Sequence, residues 1–195
     1  HQVLQQILGR LGVLGGAFNP IATAADNFYF WERATKDRFE FRTKRFLDGL
    51  DLGNDTVPAL VDLDADGDLD VVVSNDQPSP KLVYLNDGKG RFRVGSEYGK
   101  PEWPMRNATV ADMNGDGLPD IVAANRYGRT VGSNYICLNR GGGKFDSDCI
   151  PFSAEPATTI TAADFDGDGL LDLLVPHRNG GQSRGYLGAK GAHLA

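Results

Sequence analysis

The sequence lacks the features that define several large protein classes. No apolar run approaches the roughly 20 residues that a membrane-spanning helix needs. No basic patch is concentrated anywhere, and the formal net charge is −6, which disfavours nucleic acid as a partner. There is also no nucleophile elbow, no HExxH pair and no phosphate-binding glycine loop. We therefore expect no membrane insertion, no nucleic-acid partner and no enzymatic activity.

The sequence does contain an acidic loop that occurs three times, about 50 residues apart. The copies run from Asp62 to Asp70, from Asp112 to Asp120 and from Asp164 to Asp172. Each has oxygen-bearing side chains at positions 1, 3, 5 and 9, and glycine at position 6, where a sharp bend is cheap for a residue without Cβ. Calcium takes six to eight oxygen ligands. The pattern therefore predicts three calcium sites in a repeat protein.

The predicted metal ligands are the odd-numbered positions of each loop, position 7 acting only through its backbone carbonyl. They are Asp62, Asp64, Asp66, Asp68 and Asp70 in the first loop, Asp112, Asn114, Asp116, Leu118 and Asp120 in the second, and Asp164, Asp166, Asp168, Leu170 and Asp172 in the third. Asn114 keeps an oxygen but removes a charge, so we expect the second site to bind more weakly.

Two other types of calcium loop are disfavoured by position 12. An EF-hand needs a bidentate Glu there and a helix afterwards, and a dockerin-type loop also needs an acid. Position 12 is instead Val73, Ala123 or Val175, each inside a short apolar run that predicts a buried strand. Magnesium and acidic turns without a metal stay open as alternatives.

The segments around each loop repeat as well. A strand enters the loop, a buried strand follows it, and a variable polar loop leads to a third strand such as Lys81–Leu85. In the first two units a glycine-rich hairpin turn then leads to a fourth strand. Four short antiparallel strands per ~50 residues are typical of a propeller blade.

This pattern resembles the FG-GAP/VCBS repeat family, the calcium-loop blades of integrin α-chain propellers, over about residues 54–195. The resemblance implies an all-β propeller of four-stranded antiparallel blades, with three and a half to four blades in this chain. It divides the chain into an N-terminal arm and degenerate partial blade (1–50) and three calcium blades (51–100, 101–152 and 153–195, the last with a truncated fourth strand). It also implies that the three Ca²⁺ ions are structural, and that the metal ligands are those predicted above.

The two cysteines flank a glycine-rich hairpin turn. Cys137 and Cys149 would lie near cross-strand positions of that hairpin. We expect a disulfide, with two free thiols as the alternative. A disulfide indicates an oxidising compartment, so we expect an extracellular protein, secreted or on the cell surface.

Recognition is expected on the face opposite the calcium loops, where the connections vary between repeats. Aromatic and arginine side chains concentrate there, and both are common at binding hot spots. The candidates are Tyr98, Trp103, Arg106, Arg126, Tyr127 and Arg129. For Trp103 the alternative is packing at a blade junction.

The expected function is a calcium-stabilised binding or adhesion module that recognises a glycan or an extracellular protein. One alternative is a structural subunit whose open blade edges pair with another chain or with additional blades. Another is the propeller domain of a polysaccharide-acting enzyme, with His177 as its acid–base candidate.

Overall fold

A computed structural model describes residues 58–127, 132–177, 182–190 and 193–194, together with the backbone of the strands between residues 13 and 41. Every regular element in these ranges is a β-strand, and they contain no helix long and apolar enough to cross a bilayer. Three strands lie N-terminal to the acidic loops: β1 (Val13–Gly16), β2 (Phe28–Thr35) and β3 (Arg38–Phe41). They form an antiparallel sheet in that order. Residues 1–12 of the predicted N-terminal arm lie outside the described residues.

The three acidic loops belong to three further antiparallel sheets. The first contains β4 (Pro58–Val61), β5 (Asp70–Val73), β6 (Leu82–Asn86) and β7 (Phe92–Glu97), and the second contains β8 (Met105–Ala111), β9 (Asp120–Asn125), β10 (Asn134–Cys137) and β11 (Ile150–Ser153). The third contains β12 (Thr161–Ala163), β13 (Asp172–Val175) and β14 (Arg184–Tyr186), and is followed by the strand pair β15 (Gly188–Ala189) and β16 (His193–Leu194). In each sheet the strands pair in chain order, which is the meander of a propeller blade. The predicted all-β fold of four-stranded antiparallel blades is confirmed.

The blades pack face to face, and the second strand of the middle blade alternates its side chains between its two neighbours. In β9, Ile121 and Ala123 join a core that the second blade shares with the first. Val122 and Ala124 join a separate core with Ile160 and other residues of the third blade. Successive side chains of a strand point to opposite faces, so one strand serves two interfaces. The first strands β4, β8 and β12 lie beside one another, as in propeller blades around a common axis.

Two residues expected on the recognition surface lie inside the junction between the first two blades. Trp103 is 4% exposed and stacks on Tyr135, with ring centroids 4.1 Å apart. Tyr98 is 1% exposed, and its hydroxyl donates to the carbonyl of Val73 at 3.0 Å. Gly99, with φ of +59°, lies against the Trp103 ring where a Cβ would overlap it. The expectation that Tyr98 faces a ligand is therefore corrected, and Trp103 packs at a blade junction, which was the alternative for this residue. Burying large aromatic surface stabilises the junction.

The cysteines pair as expected. Cys137, at the end of β10, is bonded to Cys149, just before β11. The hairpin between them closes through the Asn139–Phe145 bridge and a hydrogen bond from the Arg140 N–H to the Lys144 carbonyl at 2.7 Å. The disulfide prediction is confirmed.

Candidate metal centres

The aspartate at position 1 folds each loop by accepting backbone N–H groups. In the second loop, Asp112 accepts from Gly115 at 2.8 Å, from Asp116 at 3.1 Å and from Gly117 at 2.8 Å. Asp164 accepts the same three bonds in the third loop, and Asp62 accepts from Gly67 at 3.1 Å in the first. Each carboxylate therefore has a curled segment of chain wrapped around it.

The curl requires left-handed backbone at two positions of each loop. Position 6 has φ of +93° at Gly67, +87° at Gly117 and +88° at Gly169, which confirms the predicted role of these glycines. Position 4 also has positive φ in all three loops, and in the first loop it is Ala65, at +64°. The sequence pattern gave no signal for this second bend, because position 4 is not glycine in every copy.

Position 5 fixes the far side of each loop. The Oδ1 atoms of Asp66, Asp116 and Asp168 accept the N–H of the position-7 residue at 2.9, 2.9 and 2.8 Å. These position-7 residues are Asp68, Leu118 and Leu170. Their N–H groups are used within the loop, and the ligand role of their carbonyls stays a prediction.

The aspartate at position 9 joins the loop to the body of the blade. Asp70, Asp120 and Asp172 are at most 1% exposed. One oxygen of each accepts the N–H of position 2, at 2.8 Å from Leu63 in the first loop. The other oxygen accepts a backbone N–H at the end of the third strand, at 2.9 Å from Asn86 in the first blade. Position 9 thus holds both the entry of the loop and the neighbouring strand, a role that the ligand pattern does not reveal.

Two of the loops bring carboxylate oxygens together as a calcium ion requires. Ligand atoms of Asp62, Asp64 and Asp70 lie within 4.8 Å of one another, and so do those of Asp164, Asp166 and Asp172. Oxygens that share one Ca²⁺ at roughly 2.3–2.6 Å are at most about 5 Å apart. In the first loop, Asp62 Oδ1 and Asp64 Oδ1 are buried and have no hydrogen-bond partner among the described residues. Buried carboxylate oxygens without a donor are costly, and a cation removes that cost.

The electrostatics of the first loop also favour a cation. Burial raises the pKa of Asp64, and the neighbouring charge of Asp66 raises it further. Burial raises the pKa of Asp70 to about 6, against two N–H donors that lower it. Without a cation, this cluster therefore holds its negative charge at a free-energy cost.

The second loop resembles the first at position 9 and differs from it at position 3, whereas the third loop differs from the first at position 9. Burial raises the pKa of Asp120, as it does for Asp70. In the third blade, the N–H of Gly188 and then that of Phe165 lower the pKa of Asp172. In the second loop, the Asn114 amide donates to Asp116 at 2.9 Å, and no cluster of three acidic groups occurs there in the described part of the chain.

The opposite ends of the blades carry the remaining recognition candidates. Arg106 is mostly buried and pairs with Asp76 at 2.9 Å. Arg126 and Tyr127 are half-buried, and the Tyr127 ring lies against Gly132. Burial, and then the nearby Tyr135, raise the pKa of Tyr127. Arg129 lies outside the described residues.

Two further groups lie on the same side of the blades. Lys81 is fully buried and donates to the carbonyls of Ser79 and Pro101, each at 2.9 Å; burial lowers its pKa to about 8. The backbone N–H of His177 donates to the hydroxyl of Ser183 at 3.2 Å. Sequence reasoning did not single out Lys81.

The chain is similar in sequence to parts of two longer proteins. It is 28% identical over 206 residues to cartilage acidic protein 1 of Xenopus tropicalis, which covers 90% of this chain and 31% of the relative. It is 32% identical over 131 residues to the Homo sapiens protein of the same name, which covers 61% of this chain and 20% of the relative. The chain thus spans about a third or less of the length of these relatives.

A solved structure has a similar fold. It is a lectin of Agrocybe aegerita, described for its specific recognition of non-reducing terminal N-acetylglucosamine. The TM-score is 0.60 at 18% identity, covering 96% of this chain and 51% of the lectin chain. This likeness concerns the fold alone.

The family comparison matches the segments that contain the acidic loops. The FG-GAP-like repeat matches twice, over residues 62–123 and 112–175, and each match runs from one loop into the second strand of the next blade. Together the two matches cover more than half of the 195 residues. The chain therefore belongs to the FG-GAP-like repeat family.

Proposed function

We propose that the chain is a calcium-stabilised binding module that acts outside the cell. The observation that carries the calcium proposal is the pair of buried oxygens, Asp62 Oδ1 and Asp64 Oδ1. They lie beside Asp70, and no donor reaches them in the part of the chain that the structure describes. The third loop has an equivalent cluster. In the second loop the Asn114 amide takes the place of a carboxylate, so this site is the weakest of the three proposed.

The proposed role of the metal is structural. When bound, Ca²⁺ neutralises carboxylates that the fold has already gathered, and the residues that hold it are the odd-numbered positions of each loop. Position 9 also holds the third strand of its blade. Loading the loop therefore stabilises strand pairing as well as the loop. A ligand at a hundredfold excess over its Kd stabilises the folded state by about 2.7 kcal/mol.

The proposed ligand is a glycan or an extracellular protein. Support comes from Arg126 and Tyr127, which lie half-buried at the ends of the blades opposite the metal loops. An aromatic ring beside hydrogen-bonding groups suits a sugar or a protein surface. The similar fold of a lectin adds support for a glycan, and the disulfide fits an oxidising compartment.

A second candidate function is a structural subunit of an assembly, in which the third blade pairs with a second copy of this chain. Phe165, Leu174 and Leu187 are 55%, 41% and 50% exposed. Their equivalents in the first blade, Leu63, Val72 and Leu85, are at most 3% exposed because the second blade covers them. These three side chains therefore form an exposed apolar face on the third blade, and the equivalent face of the first blade binds the second blade.

One experiment with two variants tests the leading proposal. Thermal melting is followed with calcium and with chelator for the wild type, Asp64→Ala and Tyr127→Ala, and binding is measured on an array of glycans and extracellular proteins. We expect Asp64→Ala to lose part of the calcium-dependent rise in Tm. Tyr127→Ala should keep that rise and lose array binding. A wild-type Tm that does not respond to chelator would refute the calcium role, and unchanged array binding by Tyr127→Ala would refute the recognition site.

A further inference from the structure

One asparagine connects the first metal loop with the second. Asn139 follows β10 and is 1% exposed. Its backbone N–H donates to Asp120 Oδ1, at position 9 of the second loop, at 2.8 Å. Its side-chain Nδ2 donates to the carbonyl of Pro119, in the same loop, at 3.1 Å. The same nitrogen donates to the carbonyl of Leu63, at position 2 of the first loop, at 3.0 Å.

The orientation of this amide is fixed by its own hairpin. Asn139 Oδ1 accepts the N–H of Gly141 at 2.9 Å, so Nδ2 points away from the turn and toward the two loops. Leu63 is held equally firmly, because its N–H donates to Asp70 Oδ2 at 2.8 Å. A continuous chain of hydrogen bonds therefore runs from Asp70 through Leu63 and Asn139 to Asp120. Both of its ends are predicted metal ligands.

Among the residues that the structure describes, the equivalent positions of the other blades make no such connection. Asn86, in the first blade, donates through Nδ2 to the carbonyl of Leu69 at 3.1 Å, within its own loop. Gly188, in the third blade, makes the backbone bond to Asp172 Oδ1 at 2.7 Å but has no side chain. It cannot reach the carbonyl of Met113, which is position 2 of the second loop. The molecule thus carries the link between loops one and two, and no equivalent link from Gly188 between loops two and three.

We propose that Asn139 couples calcium binding at the first two loops. The proposal rests on the calcium role proposed above. A metal in the first loop orders the segment from Leu63 to Asp70, and this segment holds Asn139 through the Leu63 carbonyl. Asn139 in turn holds Asp120 in the geometry that the second metal needs. A second ligand that meets an already ordered site loses less entropy on binding, which gives positive cooperativity.

The test compares the calcium affinity of the second loop when the first loop is intact and when the first loop is disabled. The full chain is titrated calorimetrically in two forms. In one, Asp164→Ala and Asp166→Ala disable the third loop; in the other, Asp62→Ala and Asp64→Ala disable the first loop as well. We expect the second loop to bind about fivefold more weakly when the first is disabled, at the low end of typical coupling between sites. By reciprocity the first loop should lose the same factor when the second is disabled.

Substitutions of Asn139 and Asn86 test whether the coupling depends on the Asn139 side chain. The coupling ratio is the Kd of the second loop with the first loop disabled divided by its Kd with the first loop intact. Asn139→Gly, which places the residue of the third blade at this position, should reduce this ratio from five to one. Asn86→Ala is the matched control, and it should leave the ratio unchanged because its bond stays within one blade. Circular dichroism checks that each variant is folded. If Asn139→Gly does not fold, the wild-type Asn139 background still decides whether the two loops are coupled, and Asn139→Ala, which removes the same amide, tests the assignment.

The outcomes separate the two proposals. Normal calcium binding with a ratio of one would overturn the coupling and leave the calcium role intact. A ratio of five that persists in a folded Asn139→Gly variant would overturn the assignment to Asn139. Absence of calcium binding at every loop would overturn the proposed function itself.

Discussion

At the scale of single residues, the three loops are near-copies, but the backbone is strained at position 4 of the first loop. Positions 4 and 6 both adopt left-handed backbone, and glycine occupies position 6 in every copy. At position 4 the second and third loops have Gly115 and Gly167, whereas the first has Ala65 with φ of +64°. A residue with Cβ pays about 1–2 kcal/mol in this conformation.

Replacing Ala65 by glycine should therefore stabilise the chain. The relief of strain is partly offset by the larger entropy of the unfolded chain, about 0.4–1 kcal/mol. We expect a net gain of up to about 1 kcal/mol in the free energy of unfolding, measured by urea denaturation in chelator. Gly115→Ala is the matched control, because a Cβ there meets nothing within 4 Å and only the backbone conformation opposes it. It should destabilise, and a loss of stability in Ala65→Gly would contradict this explanation.

At the scale of elements, the second strand of the middle blade has one face against the first blade and one against the third. Val122, in β9, is 0% exposed because the third blade covers it. Leu174, the equivalent residue of β13, is 41% exposed. The two strands have the same local pattern, so the difference in burial arises from the neighbour and not from the strand.

A charge at these two positions should therefore have different effects. Val122→Asp buries an unpaired carboxylate, and we expect it to cost about 3 kcal/mol or more, or to prevent folding. Leu174→Asp should change stability by no more than about 0.5 kcal/mol, as is usual for exposed positions. Urea denaturation at low protein concentration measures both. Equal destabilisation by the two substitutions would show that Leu174 is covered in solution.

At the scale of the whole molecule, the third blade has an exposed apolar face formed by Phe165, Leu174 and Leu187. The second candidate function predicts that light scattering at micromolar concentration gives twice the mass of one chain. Leu174→Asp should then restore the single-chain mass while the Tm in dilute solution stays unchanged. A single-chain mass for the wild type would remove this candidate and leave the binding module.

Much of the fold and of the candidate site could be predicted from sequence, because the repeat supplies internal comparisons. Three copies of one spacing marked the loops, the glycine at position 6 and the strands that follow them. The sequence left Trp103 between a ligand surface and a blade junction and did not indicate the burial of Tyr98, because the same aromatic residues suit both places. The left-handed position 4 was hidden by Ala65, and the bond from Asn139 to Leu63 joins residues far apart in sequence.

From local spacing, the sequence predicts the type of each blade, the resemblance to the repeat family and the candidate metal ligands, and it favours a bond between the two cysteines. Oxygen ligands, turn glycines and strand alternation all act over a few residues, so the order of residues is enough to reveal them. The tertiary structure adds which carboxylates gather, which aromatic rings are buried and which loops are linked through Asn139. A blade buries its faces against its neighbours, so contacts between blades depend on docking and not on the pattern within any one repeat.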